Sequence, residues 1–386
     1  MSDLTAQPPP SLPSQRPLRL CIALPGLHRV NRGAEVVLEE IARRAAADHG
    51  FDVTVFGSGP PRDNQPYTYH QLRTLHRETF EHFPRVPFLR DHYAYEEACF
   101  AVSLFRHYDP RAFDVTLTCG YPYTNWVLRR GRKRTPGRPA HVFVTQNGDW
   151  MVQAKNWEYK HFNCDALICT NPIYYARHKH NYRATLIPNG VDTDRFHPAA
   201  AGHPTRERFG LPQDAPVLLM VGALNPGKHV LEGLRAAARI PDLHLVVAGD
   251  GEQRDRVDAL GHDLLGQRFT RLTVPHDQMP HLYRAASALL HMSQDEPFGN
   301  IYTEALATGL PVIAHDTPTT RWILEDQATL TDTTNQPALI EAITRSLPPS
   351  PATAATTRRS LAERRFSWPT IAAAYCTFLR QITGNP

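Results

Sequence analysis

No apolar run in this 386-residue chain approaches the roughly 18 to 20 residues that a membrane-spanning helix needs. A stretch such as APVLLMVGAL reads as a buried strand. The opening MSDLTAQPPPSLPSQRP lacks the apolar core of a secretory signal and is rich in Pro and Ser, so residues 1–17 are expected to form a disordered tail. Cysteine is scarce and scattered: six residues with no C-x-x-C spacing, which argues against a disulfide scaffold or a zinc site and for reduced thiols in the cytoplasm. An excess of one charge is also lacking. The net charge is +4, and acidic and basic residues alternate along the chain, so no nucleic-acid footprint is present. No Asp-x-Asp string is placed to hold a metal, and none is expected. Lysine is rare, with five residues against thirty-seven arginines.

What is there is a doubled alternation of short apolar runs and helical patterns. LRLCIAL (18–24), DVTVF (52–56), DVTLT (114–118), HVFVT (141–145), DALICT (165–170) and ATLIP (184–188) form a first series of expected strands. PVLLMV (216–221), LHLVVAG (243–249), TRLTV (270–274), SALLHM (287–292) and PVIAH (311–315) form a second. Continuous apolar runs are the mark of parallel strands covered on both faces. Between them lie helices such as 34–48, where Val37, Ile41 and Ala45 recur on one face. The pattern predicts an α/β fold with two Rossmann-like, doubly wound domains facing a cleft. The expected boundaries are 18–196 for the first domain, 197–215 for a Pro- and Gly-rich linker and 216–365 for the second domain. Residues 366–386 carry a closing helix, with Ile371, Tyr375, Phe378 and Leu379 on one face.

In such sheets ligands bind beyond the carboxyl ends of the strands, here in the cleft. One stretch there is dense in chemistry: SQDEPFGNIYTEALATGLPVIAHD, residues 293–316. Pro297 stops any preceding helix, Gly299 lets backbone approach a ligand, and a helix is expected from about Asn300 to Thr308, stopped by Gly309. The amides of Phe298, Gly299, Asn300 and Ile301 would then be free donors at a helix start, which suits a phosphate. Glu304 lies about one turn in, where a carboxylate can accept from two hydroxyls of a ribose. Glu296 precedes the helix and can meet the other end of the same ligand. That order of groups fits a nucleoside diphosphate with a sugar attached.

The same string resembles the E-x7-E signature of the retaining glycosyltransferases of family 4, which have the GT-B fold. Further segments are similar to that family in the same order: PGLHRVNRGAEVVLEE, LIPNGVDTDRFHP, VGALNPGKH, LVVAGDGE and the closing RFSWPTIAAAYCTFLRQI. The resemblance runs from about residue 18 to 382 and is weak between about 60 and 140. It implies a nucleotide-sugar donor as co-substrate, probed first as a uridine or guanosine diphosphate sugar, with no other cofactor. It implies that Glu304 holds the ribose, that residues 298–301 present backbone to the diphosphate, that Glu296 meets the donor sugar and that Lys228 neutralises the leaving group. Gly33, Gly222 and Gly249 would line the donor site. A closing helix that packs back on the first domain is part of the same expectation.

The chain also departs from the family. Ala223 stands where an arginine is frequent, and Arg254 or Arg256 could compensate. Arg32 replaces the first glycine of a GGAE string. Gln146, Asn147, Gly148 and Asp149 follow the strand after which many members carry a histidine, so either the Gln146 amide or the Asp149 carboxylate would face the reacting hydroxyl. The acceptor, whether a sugar, a lipid-linked molecule or another small molecule, would meet the aromatic and Arg-rich segment 69–100. The basic run 129–134 could rest on the inner face of a membrane or be a solvated turn. Oligomeric state is not legible. Two rival readings are another GT-B nucleotide-sugar enzyme, such as an epimerase, and a catalytically silent subunit that only binds.

Overall fold

The computed structural model describes residues 16–30, 32–130, 137–153, 161–198 and 205–384. Residues 1–15 of the expected tail, residues 131–134 of the 129–134 run and residues 199–204 of the expected linker therefore lie outside the described residues. Two parallel sheets make up the molecule. The first contains β1 (Arg19–Ala23), β2 (Asp52–Gly57), β3 (Thr68–Gln71), β4 (Val115–Thr118), β5 (Ala140–Val144), β6 (Ala166–Cys169) and β7 (Ala184–Leu186), in the order β3-β2-β1-β4-β5-β6-β7. The second contains β8 (Val217–Val221), β9 (His244–Ala248), β10 (Phe269–Leu272), β11 (Ala288–His291), β12 (Val312–His315) and β13 (Thr329–Thr331), in the order β10-β9-β8-β11-β12-β13. Each sheet thus starts in its middle and winds outward twice, with a switch point between β1 and β4 and another between β8 and β11.

The central strands are apolar because both of their faces are covered. Leu20, Ile22, Val115 and Val142 of the first sheet are fully buried, as are Leu218, Leu219, Leu245 and Leu289 of the second. Two edge strands escape the sequence reading, β3 (TYHQ) and β13 (TLT). They are short and polar, and neither is fully buried, so no apolar run marks them. The Pro-, Ser- and Thr-rich stretch 345–360 also folds differently from its composition. A helix begins at Ala352 and runs to Phe366, burying Leu361, Ala362 and Phe366 against the second sheet's core.

The last helix, Trp368–Thr383, leaves the second domain and joins the core of the first. Trp368, Ile371, Tyr375, Phe378 and Leu379 are buried there beside Val37, Ile41 and Ala45 of the helix Gly33–His49. At about 1.5 to 3 kcal/mol per large apolar side chain, this seam contributes on the order of 10 kcal/mol before the entropy of ordering is subtracted. Polar ties flank it. The Val191 amide donates to the Phe366 carbonyl at 2.7 Å, and Arg183 donates to the Gln381 carbonyl at 2.8 Å. Gly190 is required where the helix starts, because a Cβ there would lie 2.2 Å from the Trp368 ring. All six cysteines are free. Among the described residues no helix is long and apolar enough to cross a membrane.

Candidate active site

The carboxyl ends of both sheets open on one cleft, and the two switch points supply its walls. On the second domain, β11 ends at His291 and the chain reaches Gly299, which adopts φ 84° and ψ 78° before the helix Asn300–Ala307. A Cβ at Gly299 would lie 2.7 Å from the Tyr302 ring and 3.1 Å from Glu296, so the turn is closed to larger residues. Phe298 is buried near the rings of Trp322 and Phe366, which leaves only its backbone for the cleft. Ile301 is half-buried and packs on the core of the second domain. The first amides of the helix have no acceptor within it, the Tyr302 amide donates to the Gly299 carbonyl at 3.0 Å, and the helix start at Asn300 borders the cleft.

Strand β8 lies beside β11, and its following loop carries Lys228 on the short turn Pro226–Lys228. The Lys228 ammonium forms an ion pair with Glu296. His291 also contacts the Glu296 carboxylate, at 3.3 Å. Burial disfavours charge on Glu296, but the His291 contact and the Lys228 charge outweigh it and hold the acid down to about 2. Burial likewise lowers the His291 pKa, favouring the neutral ring. His291 was not singled out from sequence. Its only signal is a titratable group ending an otherwise apolar buried strand, ALLH.

Glu304 accepts a hydrogen bond from the Tyr283 hydroxyl at 2.6 Å. Burial raises its pKa, an effect opposed by Tyr283 and by the nearby Arg195. It faces a cavity of about 150 Å³ bordered also by Arg32, Asp192, Arg195 and His276. On the other side of Asn300 lies a larger cavity of about 520 Å³, which reaches Glu296, Gln146, Trp150, Tyr93 and Arg77. Arg32, Gly33 and Asn300 border both cavities. Gly33 lies close to the helix start, where a Cβ on it would be 3.2 Å from the Asn300 side-chain nitrogen. Gly222 adjoins Lys228 in a small recess. Gly249 borders neither cavity; a Cβ there would lie 1.9 Å from the Gly222 carbonyl oxygen, so its bare backbone serves loop packing.

On the first domain the two alternatives at QNGD separate. Gln146 borders the larger cavity, whereas Asp149 is buried away from it. Arg177 donates to Asp149 at 2.6 Å and His178 contacts the same oxygen at 2.8 Å. Burial opposes the Asp149 charge, and these two partners overcome it and lower the pKa. The Asp149 carboxylate is thus held by Arg177 and His178, and of the two candidates Gln146 is the one that borders the cavity. Gln146 donates to Asn189 at 2.7 Å, and Asn189 donates to Asn300 at 2.8 Å, a chain of three amides that spans the cleft. A second tie runs from Asn171 to the Pro297 carbonyl at 2.6 Å.

Segment 69–100 divides in two. Phe80, Phe83 and Tyr95 pack on one another, while Arg77, Asp91 and Tyr93 border the larger cavity. Arg254 and Arg256 border neither cavity, and Arg254 is exposed with Asp250 at 3.8 Å. Glu35 carries no signal in the local sequence beyond its place in the RGAE string. It is buried at the larger cavity with burial raising its pKa, and the bare Cα of Gly26 makes room for its carboxyl.

Residues 204–359 match the family model described as glycosyl transferases group 1, and residues 31–195 match the model described as glycosyltransferase family 4. A lipopolysaccharide core biosynthesis glycosyltransferase of Rhizobium meliloti is 29% identical over 204 residues, covering 51% of this chain and 56% of that protein. A GDP-mannose-dependent alpha-mannosyltransferase of Mycobacterium tuberculosis is 35% identical over 131 residues, covering 33% of this chain and 32% of that protein. The matched stretch thus spans about a third to just over half the length of these two relatives. In structure the chain is similar to a sucrose-phosphate synthase from Thermosynechococcus elongatus, with a TM-score of 0.77 at 21% identity, covering 96% of this chain and all of that one. The likeness is one of fold, two Rossmann-like domains about a cleft.

Proposed function

Because the chain belongs to glycosyltransferase family 4 and has the GT-B fold, we propose that it moves a sugar from a nucleoside diphosphate sugar to an acceptor hydroxyl. The observation that carries this reading is the order of groups along the cleft. Glu296 and Lys228 stand at one end, the helix start lies in the middle, and Glu304 stands in the adjoining cavity. A sugar, a diphosphate and a ribose follow the same order.

The bond between the anomeric carbon and the diphosphate oxygen breaks, and its electron pair stays with that oxygen. A new bond forms between the anomeric carbon and the acceptor oxygen, and the acceptor proton passes to the departing phosphate. Lys228 and the helix amides meet the charge as it grows on the leaving group, a role for fixed cations and donors that needs no solvent reorganisation. In this reading that charge is met without a metal. Retention at the anomeric carbon is part of the reading and follows the family resemblance. Glu296, charged and held by His291 and Lys228, takes the sugar hydroxyls. Gln146 and the Arg77 and Tyr93 side of the larger cavity receive the acceptor. The name of the Mycobacterium relative favours a GDP sugar as the first donor to try, with UDP sugars beside it.

The test is consumption of UDP-glucose and GDP-mannose, followed by product release, with Glu296→Ala as control. Release of nucleoside diphosphate that disappears in the variant supports transfer; no release from either protein favours a silent binding subunit. NMR of the anomeric proton in the product decides between retention and inversion. We also place the reaction in the cytoplasm, with contact between the first domain and anionic lipid to be checked by vesicle sedimentation.

A further inference from the structure

We propose that Arg32 is the second cation of the donor diphosphate, reaching it from the first domain. The proposal rests on the transfer reading above and adds a residue to it. Position supplies the first observation. The cavity holding Glu296 and the cavity holding Glu304 share three bordering residues, Arg32, Gly33 and Asn300. A molecule with its sugar in one cavity and its ribose in the other must pass its diphosphate through that junction. Asn300 is where the helix amides begin, and a Cβ on Gly33 would lie 3.2 Å from the Asn300 side-chain nitrogen. Arg32 is the remaining member, and it carries the junction's only positive charge.

Availability supplies the second observation. Among the described residues Arg32 has no hydrogen-bond or ion-pair partner for its side chain, and it does not cap its own helix. Its neighbours Arg29 and Arg77 are both committed to Glu96. Partial burial and the Arg77 and Arg29 charges outweigh the Glu35 and Glu96 charges and lower the Arg32 pKa, so an anion beside the guanidinium would favour its charged form. The loop that holds Lys228 has only Ala223 at the end of β8, so the second domain brings one lysine where two cations could serve. A guanidinium fits a phosphate with two parallel donors. Arg32 belongs to the first domain and Lys228 to the second, so the two cations would reach the diphosphate from different domains.

The experiment compares wild type, Arg32→Ala and Arg32→Lys in donor consumption with UDP-glucose and GDP-mannose, in calorimetry with UDP and GDP, and in thermal unfolding. Arg32 adopts an extended conformation at φ −100°, which alanine accepts. The expected result is a kcat loss of about 100-fold in Arg32→Ala, weaker binding of the diphosphate, substantial recovery in Arg32→Lys, and an unchanged melting temperature. Turnover within a few-fold of wild type, or a loss accompanied by a lower melting temperature and no recovery in lysine, overturns the proposal. If wild type consumes no donor, the transfer reading falls by itself. Calorimetry then decides on Arg32, because equal diphosphate affinity in wild type and Arg32→Ala overturns it.

Discussion

At the scale of single residues, the site is a set of charges whose neighbours fix their states. Lys228 is the cation nearest the sugar end. Its replacement by alanine is expected to lower kcat by about 100-fold, as loss of a comparable preorganised donor does, and steady-state kinetics on the preferred donor will check it. Glu304 acts in binding. Glu304→Ala removes hydrogen bonds from a charged acceptor, worth roughly 1.5 to 3 kcal/mol, and should weaken nucleoside diphosphate binding by about 10- to 100-fold in calorimetry. Glu296 has a consequence for acid stability. Its folded pKa is depressed from 4.5 to about 2, so the stability it brings is fully present above pH 4.5 and is lost as the pH falls through about 2. In denaturant titrations from pH 6 to 2, wild type should lose stability over that window more steeply than Glu296→Gln. Parallel curves would mean that the Lys228 and His291 contacts do not hold the carboxylate.

At the scale of elements, the turn before the helix Asn300–Ala307 decides whether the amides point at a ligand. Gly299→Ala forces a side chain into the left-handed region and into the Tyr302 ring. The expected cost is about 1 to 3 kcal/mol, with loss of diphosphate binding, read by thermal unfolding and calorimetry. These elements show how much the sequence discloses. Eleven strands announce themselves as apolar runs, the central ones because burial on both faces leaves no room for polar alternation, and the Phe-Gly-Asn turn announces the helix start. The edge strands β3 and β13 do not, since TYHQ and TLT are short, mostly polar and exposed or half-buried. Local sequence likewise could not give Asp149 its buried position. That position depends on Arg177 and His178, which come from another helix. Nor could it join Gln146, Asn189 and Asn300, whose contact depends on how two domains meet.

At the scale of the whole molecule, two domains with the same winding are held by amide ties across the cleft and by one helix that belongs to both. Gly190 sits between Asn189, which joins the ties, and Val191, which bonds the chain just before that helix. Gly190→Ala would drive a methyl group into the Trp368 ring. It should destabilise the first domain by about 1 to 3 kcal/mol, as overpacking does, and lower kcat through a cleft that no longer closes squarely. Unfolding curves and turnover measured on the same preparation will show whether the two effects move together. The seam made by Trp368–Thr383 has a consequence for biosynthesis. The half of the chain that leaves the ribosome first is finished last, because part of its interior is encoded after the entire second half. At about 5 to 20 residues per second, the nascent first half waits on the order of ten seconds or more with an uncovered apolar face, a window in which a chaperone would find it.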